Sequence, residues 1–373
     1  MFGIVLLAVC TIMQVYVFWR ATTVPWLTRR VPKRFLVAAG LLLWLAQVLG
    51  RTLGHDTSGA WAASLEIVGM TWMGCLLLLC TCLLAVDLVA WLPVFSPRAR
   101  GALRGWALVA GLLLSGTAAI QGIRSPAIVD YEVRLKGLPQ SMDGTVLVAL
   151  SDLHLGAVLD TSWLAARVSQ VQALHPDLIV LLGDIVEGHG AEPSRFLPGL
   201  RALSAPLGVW AVTGNHESHG TGAKGPTILE DAGFQVLHGR WEQIRPGFTL
   251  AGVDDLTRRH RAGTDGRPVL DALARHPEGA LIFLSHAPVE AAAAAEAGAG
   301  LMLSGHTHGG QIWPFSYLVR LAFPLIGGRY LVDGITVIVC RGTGTWGPRM
   351  RLWRRGEILR ITLRSPAPAA SHR

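Results

Sequence analysis

The chain has 373 residues, 51 % of them apolar, a formal net charge of +8 and a mean hydropathy of +0.42. That length accommodates two domains, and that hydropathy argues against a chain soluble throughout. Nine of the 33 Lys and Arg but only three of the 25 acids fall in residues 1–123, leaving that segment at +6 and the remainder at +2, so the basicity gives no support for nucleic-acid binding.

Four long apolar segments open the chain: Phe2 to Trp19, Phe35 to Gly50, Leu65 to Leu92 and Trp106 to Ile123. The first, third and fourth approach or exceed the roughly 20 residues that cross a hydrocarbon core. A cleavable signal peptide needs a basic start and a small-residue cleavage site, whereas this N-terminus begins MFGIVLL and runs into basic residues after Trp19, so an uncleaved multi-span anchor is expected. A buried helical core is the competing reading, but soluble helices of such length keep a polar face. Arg20, Arg29, Arg30, Lys33 and Arg34 lie between the first two spans, Arg98, Arg100 and Arg104 between the last two, and Arg51 alone between the middle pair. Basic loops stay cytoplasmic, which predicts an integral membrane protein with its C-terminal domain on the extracytoplasmic side. That orientation depends on the short second segment crossing. Cys10, Cys75, Cys80 and Cys82 sit in spans and Cys340 stands alone in the C-terminal domain, so cysteine usage does not reveal the compartment.

Beyond Arg124 short apolar runs alternate with Gly, Pro and polar residues, the pattern of layered strands and helices. Buried strands are expected at Val146 to Leu150, Leu178 to Leu182, Val209 to Val212, Phe248 to Val253, Leu281 to Leu284, Leu301 to Leu303 and Ile335 to Val339, with helices such as Ser162 to Leu174 and Pro288 to Ala297. Five of these strands lead at once into residues able to bind metal: Ser151-Asp152-Leu153-His154, Gly183-Asp184, Gly214-Asn215-His216-Glu217, Ser285-His286 and Gly305-His306-Thr307-His308. Ligands of open α/β sheets bind at the carboxyl ends of strands. Imidazole, carboxylate and amide oxygen form a mixed donor set suited to Mn, Fe(II), Zn or Ni. At least seven ligands are too many for one ion, and two ions about 3.5–4 Å apart clamp the attacking and leaving oxygens of a phosphoryl centre.

The blocks DLH at 152–154, GD at 183–184, GNHE at 214–217, SHAP at 285–288 and GHTH at 305–308, in this order, resemble the calcineurin-like metallophosphoesterases. The resemblance covers roughly residues 143–345, and GVDD at 252–255 with GGQIWPF at 309–315 looks like the membrane-associated bacterial branch. It implies a four-layer α/β/β/α fold for the domain at residues 143–364, which the composition of the chain sets after an anchor at 1–123 and a connector at 124–142 and before a disordered tail at 365–373. It also implies that Asp152, His154 and His308 hold one divalent ion, that Asn215, His286 and His306 hold a second, and that Asp184 bridges them. His216 would stabilise the transition state or protonate the leaving oxygen, while a hydroxide between the ions attacks phosphorus in line.

Glu187 and Glu217 beside the site read either as taking a direct role or as solvated loop acids, and Asp254 and Asp255 as ligand-orienting or helix-capping residues. His175, His189, His219, His238, His260 and His276 read as surface residues. The apolar stretch around Trp313, Phe315, Tyr317, Leu318, Leu321 and Phe323 reads either as core or as a lip that meets lipid. Trp346, Arg349, Arg351, Trp353, Arg354 and Arg355 suit an anionic headgroup layer. The expected function is a membrane-anchored dimetal phosphoesterase acting on a phosphodiester or pyrophosphate bond, with the bilayer and a phosphorylated substrate, a lipid being one candidate, as partners; the sequence assigns no oligomeric state. The alternatives are a tethered protein or nucleotide phosphatase and a membrane sensor or scaffold with a structural metal site. Asp87, the one intramembrane acid that could indicate a transport pathway, reads equally as a pairing or interfacial residue.

Overall fold

The computed structural model describes residues 2–54, 60–93, 95–187, 193–219, 225–257 and 267–366. They form two compact units, one comprising the chain up to Arg124 with Ile312–Pro314 and Gly347–Arg354, the other comprising the rest. The tail from 367 onward, with His189 and His260, lies outside the described residues.

The first unit is helical: α1 (Phe2–Ala21), α2 (Pro25–Arg30), α3 (Lys33–Leu49), α4 (Ala60–Ala90) and α5 (Pro97–Ile123), with a π-helical turn at Gly50–Gly54 continuing α3. Four of these helices carry apolar stretches of 19, 20, 30 and 27 residues, long enough to cross a membrane. Helix α5 starts well before the expected Trp106 because Ser96 accepts a hydrogen bond from Ala99 N and Pro97 occupies the first turn. Arg98, Arg100 and Arg104 therefore ride on helix rather than loop.

Apolar side chains gain little by leaving lipid for one another, so such helices associate through small residues and polar links. Both are present. Gly40 lets α3 approach Phe18 of α1, where a Cβ would stand 2.9 Å from the ring, and Gly111 lets α5 approach Leu79 of α4 equally closely. Gln14 Nε2 donates to Gly40 O at 2.7 Å, and Gln14 Oε1 accepts from Trp72 Nε1 at 2.8 Å. Asp87 of α4 joins three helices, accepting from Tyr16 Oη at 2.6 Å and pairing with Arg20 at 2.6 Å and Arg104 at 2.7 Å.

Two later segments belong to this unit. Ile312, Met350 and Leu352 are buried with Leu78 and Ala118, and Arg351 N donates to Ala118 O at 2.9 Å. The aromatic and cationic cluster expected as one surface is thereby divided: Arg351 is buried, whereas Trp353, Arg354 and Arg355 are exposed.

The second unit holds two six-stranded sheets. The first runs β1 (Ala127–Arg134), β12 (Glu357–Arg364), β2 (Val146–Leu150), β3 (Leu178–Leu181), β4 (Val209–Ala211), β5 (Gln235–Val236). The second runs β10 (Gly328–Val332), β11 (Ile335–Val339), β9 (Leu301–Ser304), β8 (Ala280–Leu284), β7 (Phe248–Gly252), β6 (Arg240–Arg245). The connecting helices are α6 (Thr161–Gln172), α7 (Leu197–Arg201), α8 (Asn215–His219), α9 (Gly225–Asp231), α10 (Arg267–Leu273), α11 (Ala291–Glu296) and α12 (Phe315–Ala322).

Strand periodicity sends alternate side chains to opposite faces. Leu147 and Ala149 of β2 therefore join Leu250, Ile282, Leu303 and Ile338 in the core between the sheets, while Val148 and Leu150 pack beneath Leu164, Val171 and Leu200 of α6 and α7. Val269 and Leu273 of α10 and Ala294 of α11 cover the outer face of the second sheet. The result is the α/β/β/α order. Strands buried on both faces read as unbroken apolar runs, which is why those of the two sheet centres are visible in the sequence. Residues 127–134, inside the expected connector, instead form β1, paired with β12 from Ala127↔Glu357 to Arg134↔Arg364.

For the helical unit, Asp87→Leu leaves Arg20, Arg104 and Tyr16 without their shared acceptor. The expected loss is about 1.5–3 kcal/mol, the worth of hydrogen bonds to a charged group, and thermal unfolding of the detergent-solubilised chain measures it.

Candidate metal centre

Within each sheet the parallel strands end level. Leu150 pairs with Leu181 and Leu181 with Ala211 in the first; Leu284 pairs with Leu303 and with Gly252 in the second. The loops that leave these ends carry Asp152 and His154, Asp184, Asn215 and His216, His286, and His306 and His308. Gly305 lets the two sets of ends close on one another, since a Cβ there would stand 1.7 Å from Ser151 Oγ and 2.5 Å from Asp152 Oδ2. His306 N then donates to Asp152 Oδ2 at 3.1 Å.

Six of the seven expected ligands, all but Asn215, gather into overlapping groups. Asp152, His154 and His308 form one, Asp184, His286 and His306 another, and His154, Asp184 and His216 a third, with the ligand atoms of each group within 4.8 Å of one another. His308 Nε2 lies 3.0 Å from His154 Nε2 and 3.4 Å from Asp152 Oδ1. On the other side of Asp184, His286 Nε2 is 3.3 Å from Asp184 Oδ2 and 3.1 Å from His306 Nδ1. Asp152, His154, Asp184, His286 and His308 are buried; Asn215, His216 and His306 are half-buried. Asn215 heads α8, directly before His216.

The rings are oriented by what their outer nitrogens meet. His286 Nδ1 lies 2.8 Å from Leu182 O, and His154 Nδ1 lies 2.7 Å from Glu187 Oε1, so both rings turn Nε2 inward. A histidine whose other nitrogen is held by a carbonyl or carboxylate is the usual form of a metal-binding imidazole. The backbone is strained where these side chains project: φ is +53° at Asp152, +47° at His154, +52° at Asp184, +69° at His306 and +50° at His308. Left-handed non-glycine residues gather at functional sites, where surrounding contacts over-determine them.

Two of those contacts come from acids that read as solvated loop residues. Glu217 is buried, and its carboxylate accepts from the backbone N–H of Asp184, Ile185, Val186 and Gly214 at 2.5 to 3.2 Å. Burial and the neighbouring Asp184 charge push its carboxyl up. Glu187 touches His154 with one oxygen and His216 Nδ1 with the other, the latter at 2.8 Å. Burial would raise its carboxyl, but the charges of His216 and His154 outweigh that and hold it well below the usual range. His216 is the converse: burial disfavours its proton, yet Asp184 and Glu187 push it up to about 10. The sequence signal for both acids was position alone, three residues after Asp184 and two after Asn215.

The remaining described candidates do not belong to these ligand groups, although the Asp255 charge acts on His286. Asp254 accepts from Thr213 Oγ1 at 2.8 Å and lies 2.7 Å from His238 Nδ1, and Asp255 caps Thr257 N at 3.0 Å. His175 and His238 are exposed, while His276 is half-buried with its nitrogens near Pro277 O and Ala297 O rather than on the surface. His219 lies at the end of α8.

A four-layer sandwich with a His and Asp cluster at its strand ends is the arrangement of a metallophosphoesterase. Residues 145–310 match the model of the calcineurin-like phosphoesterase family. A Danio rerio protein described as a transmembrane protein with metallophosphoesterase domain is 35 % identical over 272 residues, 69 % of this chain and 62 % of its own length. An uncharacterized metallophosphoesterase of Aquifex aeolicus is 33 % identical over 243 residues, 63 % of this chain and 90 % of its own length. The solved structure of a dimetal phosphatase from Danio rerio is similar with a TM-score of 0.37 and 15 % identity, over 54 % of this chain and 88 % of that one. The chain belongs to the calcineurin-like metallophosphoesterase family. It spans 62 % of the length of the transmembrane relatives from Danio rerio and Bos taurus.

Glu217→Gln keeps the shape but turns an amide N–H₂ toward backbone donors. The expected cost is about 1–3 kcal/mol for buried donors left without an acceptor, read as lost amide-exchange protection at Asp184, Ile185, Val186 and Gly214.

Proposed function

We propose that the chain is a membrane-anchored phosphoesterase that binds two divalent cations and hydrolyses a phosphodiester or pyrophosphate bond. The observation that carries this reading is that one carboxylate stands between the two ligand sets, Asp184 Oδ2 lying 3.8 Å from His154 Nε2 and 3.3 Å from His286 Nε2. Asp152, His154 and His308 would hold one cation, Asn215, His286 and His306 the other, and Asp184 would serve both. Nitrogen and oxygen donors without thiolate suit Mn, Fe(II), Zn or Ni. Bound there, the cations supply Lewis-acid polarisation of phosphoryl oxygens and a water acidic enough to act as nucleophile at neutral pH.

The chain's own residues orient and move protons. Glu187 holds His154 in the tautomer that turns Nε2 inward. The same carboxylate meets His216 Nδ1 and so orients that ring, placing it to donate a proton to the leaving oxygen. Glu217 fixes the loop that carries Asp184.

The preferred substrate in this reading is a phosphodiester or pyrophosphate-linked lipid. The ring of Phe323, part of the outer core of the second sheet, meets His306 edge-on with centroids 4.8 Å apart, so an apolar side chain borders one ligand group, and four helices are long enough to hold the chain in a bilayer. The catalytic unit lies on the extracytoplasmic side. Arg20 and Arg104 meet at Asp87, on the helix ends flanked by the other cations of both basic segments, and cation-rich ends stay cytoplasmic. A reporter fused after Arg373 and active only in the cytoplasm would refute that orientation.

The catalytic test uses detergent-purified full-length protein, stripped by chelator, reloaded with Mn and offered a soluble aryl phosphodiester or a lipid pyrophosphate. Activity is expected to return with metal, to be higher on the lipid and to vanish in His306→Ala. His216→Asn is expected to lower kcat by roughly 10²- to 10⁴-fold, the range for a positioned proton donor, while still binding two metals per chain. Turnover of the soluble ester alone would favour a tethered protein or nucleotide phosphatase; two bound metals with no turnover of either would favour a sensor or scaffold.

A further inference from the structure

Helix α12 carries its apolar side outward. Phe315, Tyr317, Leu318 and Leu321 are all exposed, Leu321 at 84 %, and none of the helix's residues is buried. At about 100° per residue these four positions form one continuous arc. The inward side is narrow: Gly310 brings its backbone against Ser316, where a Cβ would stand 2.2 Å from Ser316 Cα, and Val319 packs against the outer core of the second sheet. A surface helix facing water has the opposite arrangement, with the apolar stripe on the core. Arg320 is exposed at the border of the arc.

We propose that α12 is an interfacial membrane helix whose apolar arc enters the boundary between headgroups and acyl chains of the bilayer that the four long helices cross. Three observations favour lipid over a protein groove. Pro314, the residue before the helix, belongs to the helical unit, so α12 is one peptide bond from a segment of the spanning unit. The arc offers aliphatic and aromatic carbon with a single hydroxyl, that of Tyr317, and aromatic rings with one polar end favour the membrane–water interface. Arg320 at the border can lay its stem on apolar surface and present its charge to lipid phosphate. Phe323, one residue beyond α12, contacts His306, which connects this lipid contact to a ligand group. The proposal does not rest on the phosphoesterase reading.

The test uses the full-length chain in lipid nanodiscs, with Cys10, Cys75, Cys80 and Cys82 replaced by alanine and the buried Cys340 retained. Nitroxide labels are placed through Leu318→Cys, Leu321→Cys and, at the border, Arg320→Cys; all three side chains are exposed, so the core is left intact. Collisions with oxygen, which partitions into lipid, and with a water-soluble nickel chelate are compared. A several-fold higher ratio of oxygen to nickel collisions at 318 and 321 than at 320 is expected. Equal access of the chelate to all three positions would overturn the proposal, and so would shielding of 318 and 321 from both reagents, which would mean that protein covers the arc. Neither metal nor substrate enters the readout, so loss of activity and loss of lipid contact are separate results.

Discussion

Asp184 can belong to two ligand groups because one carboxylate holds its loop from within. Glu217 gathers the N–H groups of three consecutive residues, Asp184 to Val186, and that of Gly214 from the neighbouring strand end. Those donors point inward because Asp184 takes a left-handed conformation, and a buried N–H without an acceptor is costly. The strain at Asp184 and the satisfaction of its loop are thus one arrangement. The same logic extends outward. Glu187 fixes His154 and His216, Leu182 O fixes His286, and Asp152 accepts from His306 N across the two sheets. Each of these side chains is held by a partner from a different loop, which keeps several unfavourable φ values in one small region.

The sequence revealed the centres of both sheets because their strands are buried on both sides. VLVAL, LIVL and ALIFL are apolar throughout, and each ends just ahead of a residue of metal-binding type. The flanking strands were illegible for the complementary reason. AIVDYEVR and EILRITLR alternate apolar and charged residues, and RWEQIR is mostly polar, so none stands out as a run. The site was legible as residue types at strand ends, but the acids that arrange it were not. Nothing in GNHE says that Glu217 turns inward to backbone donors, because that depends on three N–H groups more than thirty residues away.

The helical unit uses a similar device with different chemistry. Asp87 could have signalled a pathway through the membrane; instead Arg20, Arg104 and Tyr16 surround it and tie α1, α4 and α5 together. An acid that meets two guanidinium groups and a phenol is a structural joint, because a lone charge in hydrocarbon is costly while a paired one fixes helix register. The segments around Ile312 and Met350 join the same unit through ordinary apolar packing and through hydrogen bonds from Arg351 N to Ala118 O and from Trp353 N to Gln121 Oε1. Periodicity could not reveal this, since both segments are too short to carry a pattern.

The place of β12 affects the order in which the protein can be made. This strand lies between β1 and β2, parallel to one and antiparallel to the other, although Glu357 follows its partner Ala127 by more than two hundred residues. During synthesis β1 emerges directly behind the apolar helices and stays without β12, its strand partner among the described residues, until more than two hundred further residues have followed. Contacts so distant in sequence form slowly, and unpaired edges invite association with other chains. A ribosome that stalls after β11 would therefore release a chain whose helices are complete and whose first sheet is split, an open edge held beside every other copy in the same membrane.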